Sequence, residues 1–349
     1  MGKRVTVKDL ARELNLSLGT INIALNNKEG ISEETRKRVL KAAKEMGYSV
    51  NRVAQSMARK TIDIAIIIPD FCEEYFGGLK YGIEQELKAL RDYNIVGTYY
   101  TVHGISNHTQ ALEMLHKCKA EDKSAAIICA SYDMVKKSQT DELNKLGMPF
   151  VFLGDDIEGC KKLCSVRVNA VASGRLAAEF MSYVVSKNQC AAVFVGSKQL
   201  EDHRQKYEGF AEGLAATEVK FCGVYETFDE PDIAYSQTKK LILENPELGG
   251  IYVATANWKG VCNAIEEQAK AREIRVIATD IDKNTAVYME KGLITAGFYQ
   301  NPIIQGRMAV RAIYDKLGLN KNVSPEQLII PQLILKSNLE CVDKIMFQL

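Results

Sequence analysis

One short stretch near the N-terminus, from Leu16 to Asn27, contains side chains able to hydrogen-bond to the edges of nucleic-acid bases. Ser17 is a good N-cap residue, and Ile21, Ala24 and Leu25 follow it at the spacing of one helix face. An asparagine on the opposite face of such a helix can pair with adenine through two hydrogen bonds. The stretch therefore predicts a helix that reads DNA. Its opposite face carries Leu18, Gly19, Asn22 and Ile23.

Two further helices are needed to position this one. Thr6 is suited to cap a short amphipathic helix over Val7 to Leu14, and Asn15 suits the tight turn that follows, because asparagine tolerates positive φ. A third helix is predicted to begin after Ser32 and to end at Gly47, a typical C-terminal glycine. This arrangement indicates a helix-turn-helix unit.

The charge is unevenly distributed along the chain. Residues 1–60 contain 13 lysines and arginines against 6 acidic residues, whereas the remaining residues contain 32 against 38. A basic segment provides the positive potential that attracts a phosphate backbone, although a solvated helix face has the same composition. The position of the basic residues beside the predicted helix-turn-helix favours nucleic-acid binding.

From Thr61 onward, apolar runs of strand length alternate with segments of helix length. This alternation predicts an α/β body of parallel, doubly wound sheets, and the strands are too many for one compact sheet, so we expect two lobes. Ligands in such sheets bind beyond the carboxyl ends of the strands. The predicted strands are Ile62 to Pro69, Ile95 to Tyr100, Ala125 to Cys129, Phe150 to Leu153, Cys164 to Val168, Ala191 to Val195, Val219 to Tyr225, Gly250 to Ala254, Val276 to Asp280, Thr295 to Tyr299 and Leu328 to Leu335.

The sequence contains no recognisable catalytic or metal-binding motif. The four histidines are scattered, the nine cysteines form no CxxC pair, and the GxSxG, phosphate-loop and HExxH patterns are absent. We therefore expect no enzyme, no cofactor and no metal. No apolar run approaches the roughly 18 residues of a membrane helix, and the N-terminus lacks the apolar core of a signal peptide, so we expect a cytoplasmic protein without a membrane partner.

Six segments in the first sixty residues together resemble the headpiece of the lactose repressor family. They are Val7-Lys-Asp-Leu-Ala11, Leu16-Ser-Leu-Gly-Thr20, Ala24-Leu-Asn-Asn27, Ile31-Ser-Glu-Glu-Thr-Arg36, Gly47-Tyr48 and Asn51-Arg-Val-Ala-Gln-Ser-Met57. The body resembles the periplasmic sugar-binding-protein fold of the same family at Ile68-Pro-Asp70, Tyr75-Phe76, Gly209-Phe210, Thr279-Asp280, Gln300-Asn-Pro302 and Gln305-Gly306.

The resemblance implies a domain organisation. Residues 1–49 form the helix-turn-helix headpiece, residues 50–60 a hinge helix and linker, and residues 61–349 a two-lobed effector-binding and dimerisation domain. Lobe 1 is expected roughly over 61–159 and 293–325, and lobe 2 roughly over 160–292 and 326–349.

The resemblance also implies how DNA is contacted. The reading helix enters the major groove, and paired hinge helices reach the minor groove, where Met57 matches a wedge between base pairs. The residues that match DNA-contacting positions are Thr6, Ser17, Leu18, Gly19, Thr20, Asn22, Ile23, Asn26, Asn51, Ala54 and Met57. The family typically has a serine and an arginine where this chain has Asn22 and Ile23, so Asn22 is left as the only strong hydrogen-bonding reader. Leu18 and Ile23 either contact thymine methyl groups or pack inside the headpiece.

In the body, the resemblance implies a cleft that closes on a small polar ligand, and an uncharged sugar is the leading expectation. The residues that match ligand positions are Tyr75, Phe76, Asp155, Asn169, Arg204, Lys206, Asn257, Asp280 and Gln300. Asp280 is the strongest candidate, because a carboxylate at the end of a strand can accept hydrogen bonds from two neighbouring hydroxyls. A helix cap or an ion pair between lobes is the alternative for Asp280, and a core position is the alternative for Tyr75 and Phe76.

One departure from the family concerns the arginine that clamps the ligand. Lys206 stands in its place, and lysine lacks the planar fork of arginine. Either the clamp has moved to Arg204, which we favour, or the ligand differs from that of the family. Asp155 and Asp156 add negative charge near the same cleft and disfavour a doubly phosphorylated effector.

These features favour a ligand-responsive repressor that binds operator DNA as a homodimer or a tetramer. The segment from Leu339 to Leu349 lacks the leucine heptads of a tetramerising coiled coil. The alternatives are a sugar-binding protein of a transport system, a sugar-modifying enzyme on the same scaffold, and a regulator controlled by a protein partner.

Overall fold

The computed structural model describes residues 5–25, 29–48, 60–70, 72–103, 109–129, 137–270, 272–281 and 284–346. The chain divides into two compact units, Met1–Arg59 and Lys60–Leu349. Four residues that match DNA-contacting positions, Asn26, Asn51, Ala54 and Met57, lie outside the described residues, as does the predicted hinge helix.

The first unit contains three helices packed around a small apolar core. They are α1 (Val7–Leu14), α2 (Leu18–Leu25) and α3 (Glu33–Glu45). Leu10, Ile21 and Val39, one from each helix, are fully buried. The predicted helix starts are confirmed, because the hydroxyl groups of Thr6, Ser17 and Ser32 each accept a backbone N–H of the following turn.

The corner between α1 and α2 depends on Asn15. This residue has φ 50° and ψ 47°, in the left-handed region, as its position in the sequence predicted. The N–H of Leu16 donates to the carbonyl oxygen of Ala11 at 3.0 Å, which closes the end of α1. Left-handed backbone costs a residue with a branched Cβ roughly 1–2 kcal/mol, whereas asparagine and glycine adopt it more readily.

We therefore expect Asn15→Val to destabilise the first unit by about 1 kcal/mol or more, while Asn15→Gly stays close to the wild type. Amide hydrogen exchange in the full chain, measured at Leu10 and Ile21, should show protection lowered about fivefold to tenfold in the valine variant. Equal protection in the valine and glycine variants would contradict this role of the left-handed turn.

The second unit contains two six-stranded sheets. The first sheet has the order β11-β5-β4-β3-β1-β2 and the second has the order β12-β10-β9-β8-β6-β7. All neighbouring strands are parallel except β10 and β12. The strands are β1 (Ile62–Pro69), β2 (Ile95–Val102), β3 (Ala125–Cys129), β4 (Phe150–Leu153), β5 (Cys164–Val168), β6 (Cys190–Val195), β7 (Lys220–Glu226), β8 (Leu248–Val253), β9 (Arg275–Thr279), β10 (Ala296–Tyr299), β11 (Glu326–Ile329) and β12 (Gln332–Ile334).

Helices cover both faces of each sheet, which confirms the predicted pair of doubly wound sheets. Buried residues form separate apolar clusters on the two faces of each sheet. The helices are α4 (Glu73–Leu90), α5 (Thr109–Ala120), α6 (Lys137–Lys145), α7 (Ala170–Val184), α8 (Glu201–Ala215), α9 (Pro231–Glu244), α10 (Trp258–Glu267), α11 (Thr285–Glu290), α12 (Pro302–Ile313) and α13 (Leu339–Met346).

The lobe boundaries differ from the predicted ones. We define lobe 1 by the first sheet and lobe 2 by the second, and the chain crosses between them near residues 169, 300 and 330. Residues 164–168 and 326–329 belong to lobe 1 because β5 pairs with β4 and with β11. Residues 296–299 belong to lobe 2 because β10 pairs with β9. All three assignments are the reverse of the prediction.

The last predicted strand, Leu328 to Leu335, is in fact two strands in different lobes. β11 lies on the edge of the first sheet, and β12 runs antiparallel to β10 in the second. Ile330 and Pro331 connect them, and proline has no N–H to donate to a sheet. The chain therefore leaves one lobe and enters the other within two residues.

Helix α8 is held close to α7 by glycines. A Cβ atom on Gly174 would overlap the carbonyl oxygen of Lys206, and one on Gly209 would overlap that of Val171. This close approach fixes the face of α8 that carries Asp202 and Lys206. Across the described ranges of the chain, no helix is long and apolar enough to cross a membrane.

Candidate functional site

The exposed face of α2 carries most of the predicted DNA-reading residues of the first unit. Leu18 is 45% exposed, and Gly19 and Asn22 are exposed beside it. Ile23 is half-buried, whereas Ile21 and Ala24 on the other face are buried. Leu18 therefore does not pack inside the unit, and α2 presents a largely apolar surface with one amide side chain.

The hydroxyl side chains that match phosphate-contacting positions also stabilise helix ends. Thr6 accepts the N–H of Asp9 at 3.3 Å, and its own N–H donates to a carboxylate oxygen of Asp9 at 2.9 Å, a capping box. Ser17 accepts the N–H of Thr20 at 3.1 Å. Thr20 is half-buried, and its hydroxyl lies 2.9 Å from that of Ser17.

Two basic residues of α3 bind the other helices of the unit. Arg38 donates from Nη2 to the carbonyl oxygen of Leu14 at 2.8 Å, at the C-terminal end of α1, where a positive charge is favourable. Arg36 donates to the carbonyl oxygen of Ile23 at 3.5 Å. Part of the positive charge of this unit therefore stabilises its fold.

In the second unit, polar side chains from both lobes meet between the sheets. We call this group the interlobe cluster, and its members are Tyr75, Asp155, Asp202, Lys206, Asp280, Gln300 and Gln305. Asp155 follows β4 in lobe 1, and Asp280 follows β9 in lobe 2, so both lie at carboxyl ends of parallel strands. This is the place where ligands bind in open α/β sheets.

Asp155 joins the two lobes. Its Oδ1 atom accepts the backbone N–H of Asp156 at 2.6 Å and that of Asp202, in lobe 2, at 3.0 Å. Burial, followed by the charge of Asp202, raises the pKa of Asp155 to about 7. The neighbouring Asp156 instead forms an ion pair with Lys162 at 2.5 Å.

Lys206 is the buried cation of the interlobe cluster. Its Nζ atom lies 2.5 Å from Oδ2 of Asp202 and donates to Oε1 of Gln300 at 3.2 Å, and its side chain is 3% exposed. Burial alone would lower the pKa of Lys206, but the charge and hydrogen bond of Asp202, together with the charges of Tyr252 and Asp280, outweigh burial, and the pKa is raised. Lys206 is therefore protonated, and its ammonium group contacts both Asp202 and Gln300.

Gln300 connects Lys206 to the predicted ligand carboxylate. Its side-chain Nε2 atom donates to Oδ1 of Asp280 at 2.6 Å, and its backbone carbonyl oxygen accepts from Nε2 of Gln305 at 2.8 Å. Gln305 in turn accepts the hydroxyl of Tyr75 at 3.1 Å, and burial raises the pKa of that phenol well above its ordinary value. A chain of hydrogen bonds thus runs from lobe 1 through the second crossover to lobe 2.

A second polar group lies beside Asp280 in lobe 2. Asp229 follows β7 and accepts hydrogen bonds from the hydroxyl of Thr255 and from Nδ2 of Asn257, the latter at 3.4 Å. Asn257 also donates to the hydroxyl of Thr227 at 3.3 Å. Burial raises the pKa of Asp229 to about 6, and the charge of Asp280 adds to this rise.

The sequence-based prediction missed Asp229, although a signal was present. Asp229 lies four residues after the predicted strand Val219 to Tyr225, and Asp155 and Asp280 likewise lie at or just after the ends of predicted strands. The carboxyl ends of parallel strands lie at one edge of a sheet. Thr255 follows β8 in the same way. Collecting every polar residue after a strand would have found both.

The structure does not bring Arg204, the predicted clamp, together with the other predicted ligand residues. Arg204 is 39% exposed and donates to Glu201 and Glu208 on its own helix at 2.8 Å. It lies on the solvent-facing side of α8, whereas Lys206 lies on the buried side with Asp202. The structure brings Lys206, and not Arg204, into the interlobe cluster.

Two other predicted ligand residues have structural contacts. Asn169 lies at the first crossover, where its Oδ1 atom accepts the N–H of Ala172 at 3.0 Å and caps α7. Phe76 packs against the apolar core of lobe 1, with its ring edge-to-face with Tyr75 at 5.3 Å. Ligand contacts by these residues stay predictions.

Across the described ranges, no group of three or more histidine, cysteine or acidic residues is arranged to hold a metal ion. His203, next to Asp202, is half-buried, and this burial lowers its pKa to about 4. It accepts the N–H of Ser197 at 3.1 Å and is neutral near pH 7.

The fold and the interlobe cluster define a two-lobed binding protein joined to a helix-turn-helix unit. Residues 6–51 match the bacterial regulatory proteins of the lacI family, and residues 64–321 match the periplasmic binding protein domain. The chain belongs to the lacI family of bacterial regulatory proteins, which bind DNA. The predicted family, fold class and DNA-binding function are thereby confirmed.

Individual relatives agree with this assignment. The ribose operon repressor of Bacillus subtilis (strain 168) is 30% identical over 251 residues, 70% of this chain and 71% of that protein. Catabolite control protein A of Priestia megaterium is 26% identical over 258 residues, 72% of this chain and 74% of that protein. GanP, a glucose-galactose binding protein from Geobacillus stearothermophilus, has the same body fold, with a TM-score of 0.73 at 17% identity over 80% of this chain and 99% of that protein.

Proposed function

We propose that this regulator is a repressor whose operator affinity is controlled by a sugar bound between the lobes of its second unit. The observation that carries the proposal is the interlobe cluster, in which Asp155 of lobe 1 accepts the backbone N–H of Asp202 of lobe 2. A ligand with several hydroxyl groups can replace such hydrogen bonds and thereby favour one lobe arrangement. The names of the ribose operon repressor and of the glucose-galactose binding protein support a sugar.

Control of DNA binding then follows from linkage. A ligand that prefers one lobe arrangement changes operator affinity only if the two arrangements differ in that affinity, and the coupling is reciprocal. A homodimer would place two helix-turn-helix units on the two halves of a pseudo-palindromic operator. Transport binding and sugar modification lose support, because the chain belongs to a family of DNA-binding regulators.

The experiment that tests this proposal is an operator titration with the full chain. Operator DNA selected from random sequence is titrated by fluorescence anisotropy in the presence of single pentoses and hexoses. We expect at least one sugar to change the operator Kd fivefold or more, within the usual range of allosteric coupling. An operator Kd that no sugar changes would contradict sugar control and leave DNA binding intact.

The exposed Asn22 gives a specific prediction for DNA reading. We expect Asn22→Ala to reduce discrimination against substitution of a single A·T pair in each half-site by about 1–3 kcal/mol, because a bidentate amide contact to adenine is lost. Lys8→Ala, at an exposed position of α1, is the matched control. It should weaken binding to all sequences alike and reduce the salt slope by about 1. If the Asn22→Ala variant keeps the base preference of the wild type, Asn22 does not make the predicted contact to adenine.

A further inference from the structure

Among the described residues, the charges between the lobes do not balance. The two cations near the interlobe cluster each have an acidic partner, since Lys206 pairs with Asp202 at 2.5 Å and Arg167 with Glu326 at 2.9 Å. Asp155 and Asp229 form no ion pair within the described parts of the unit. The hydrogen bonds given above for these two carboxylates come from neutral donors. Two carboxylates thus lack a countercharge from the residues that the structure describes.

A buried acceptor in the same place also lacks a donor. Asp202 is 5% exposed, and its Oδ1 atom accepts no hydrogen bond from any described residue, whereas its Oδ2 atom contacts Lys206. The backbone N–H of Asp202 donates to Asp155 of lobe 1, so the Oδ1 atom of Asp202 lies where the two lobes meet. Leaving a buried carboxylate oxygen unsatisfied is unfavourable, and a donor supplied by a ligand would remove that cost.

An ammonium group on the ligand is best suited to donate a hydrogen bond to the Oδ1 atom of Asp202. An ammonium has three N–H donors and a positive charge, and charge-assisted hydrogen bonds are roughly twice as strong as neutral ones. A hydroxyl supplies one donor and no charge. A phosphate would bring further negative charge toward Asp155, Asp202 and Asp229, where the two described cations nearby are already paired.

We propose that the interlobe cleft binds a sugar carrying a primary ammonium group, an amino sugar, in preference to the neutral and phosphorylated forms of the same sugar. This inference rests on the proposed function and narrows its effector class. Burial raises the pKa values of Asp155 and Asp229, which agrees with carboxyl groups that no described cation neutralises.

Isothermal titration calorimetry of the full chain at pH 7.0, where Asp229 is ionised and the amines are still mostly protonated, tests this preference. The ligands are D-glucosamine, D-galactosamine and D-mannosamine, each with its parent hexose, its N-acetyl derivative and its 6-phosphate. We expect one amino sugar to bind at least tenfold more tightly than all three of its counterparts, which corresponds to about 1.4 kcal/mol.

Two outcomes overturn the inference. One is a parent hexose that binds as tightly as its amino sugar, and the other is the absence of binding by all three amino sugars. Neither affects the operator titration with neutral sugars, which tests the proposed function separately.

Asp229 provides the variant that assigns the preference to this site. Asp229→Asn keeps the size and an acceptor for Thr255 but removes the charge, so the ratio of amino-sugar to hexose affinity should fall at least threefold. Glu230→Gln, at the exposed neighbouring position, changes the net charge equally and should preserve the ratio. Equal ratios in the two variants would place the ammonium elsewhere and overturn the assignment to Asp229. Melting curves of both variants confirm that they fold.

Discussion

We expect the substitution Lys206→Met to lower the free energy of unfolding of the second unit by about 3–5 kcal/mol. Methionine fills a similar volume, so little packing is lost, but the carboxylate of Asp202 would remain buried without its cation. The side chain of Asp202 is 7% exposed, which prevents water from replacing the lost ammonium. The penalty therefore comes from the charge that stays behind.

Lys240→Met is the matched control for this prediction. Lys240 and Glu244 have the same spacing of four residues on α9, but their side chains are 72% and 60% exposed and 3.8 Å apart. Breaking an exposed pair of this kind costs about 0–1 kcal/mol. Urea unfolding followed by tryptophan fluorescence reports on the second unit, because Trp258 is the only tryptophan of the chain. If the two variants lost the same free energy of unfolding, the buried pair would contribute no more to stability than the exposed pair.

A double variant separates the buried charge from the loss of the pair. Asp202→Leu combined with Lys206→Met removes both charges, and we expect it to recover at least half of the stability lost in Lys206→Met. The backbone N–H of Asp202 still reaches Asp155 in this variant, so the contact between the lobes is retained. A double variant no more stable than the single one would attribute the loss to packing.

The helices of the first unit could be predicted closely because their ends depend on local contacts. Thr6 and Ser32 cap the helices that follow them, and Asn15 adopts the left-handed turn that its residue type permits. Each of these interactions joins residues no more than five positions apart, so the sequence contains both partners side by side.

The lobe boundaries could not be predicted in the same way. β5 belongs to lobe 1 because it pairs with β4 and with β11, which lies more than 150 residues later in the chain. Nothing in the composition of Cys164–Val168 distinguishes an edge strand of one sheet from the first strand of the next. Such pairing is decided by the whole sheet, and the local pattern gives only the presence of a strand.

The choice between Arg204 and Lys206 was within reach of the sequence. The buried residues of α8 are Asp202, Lys206, Gly209, Phe210 and Leu214, which follow one another at helical spacing. Lys206 shares the face of the glycine and the apolar residues, whereas Arg204 falls on the opposite face between Glu201 and Glu208. The helical spacing of the buried residues therefore points to Lys206, whereas the residue type that the family resemblance suggested pointed to Arg204.

The largest pH effect is expected at Asp155. Burial raises its pKa in the folded chain from 3.8 to about 7, so the folded state holds this proton more tightly than the unfolded state. The stability that the protonated group provides is fully present below about pH 4 and is lost as the pH rises through about 7. The shift corresponds to a loss on the order of 4 kcal/mol across this window.

Asp155→Asn should remove this dependence, because asparagine is neutral at every pH and its oxygen can still accept the N–H groups of Asp156 and Asp202. The stability of the variant relative to the wild type is therefore expected to increase from pH 4 to pH 7 and to become constant above that. Urea unfolding at half-unit pH intervals measures the difference, with Asp141→Asn, an exposed position on α6, as the control. A difference that stays constant or decreases with pH would show that Asp155 is already ionised at pH 5. In that case the lobes would be joined at neutral pH by a charged carboxylate.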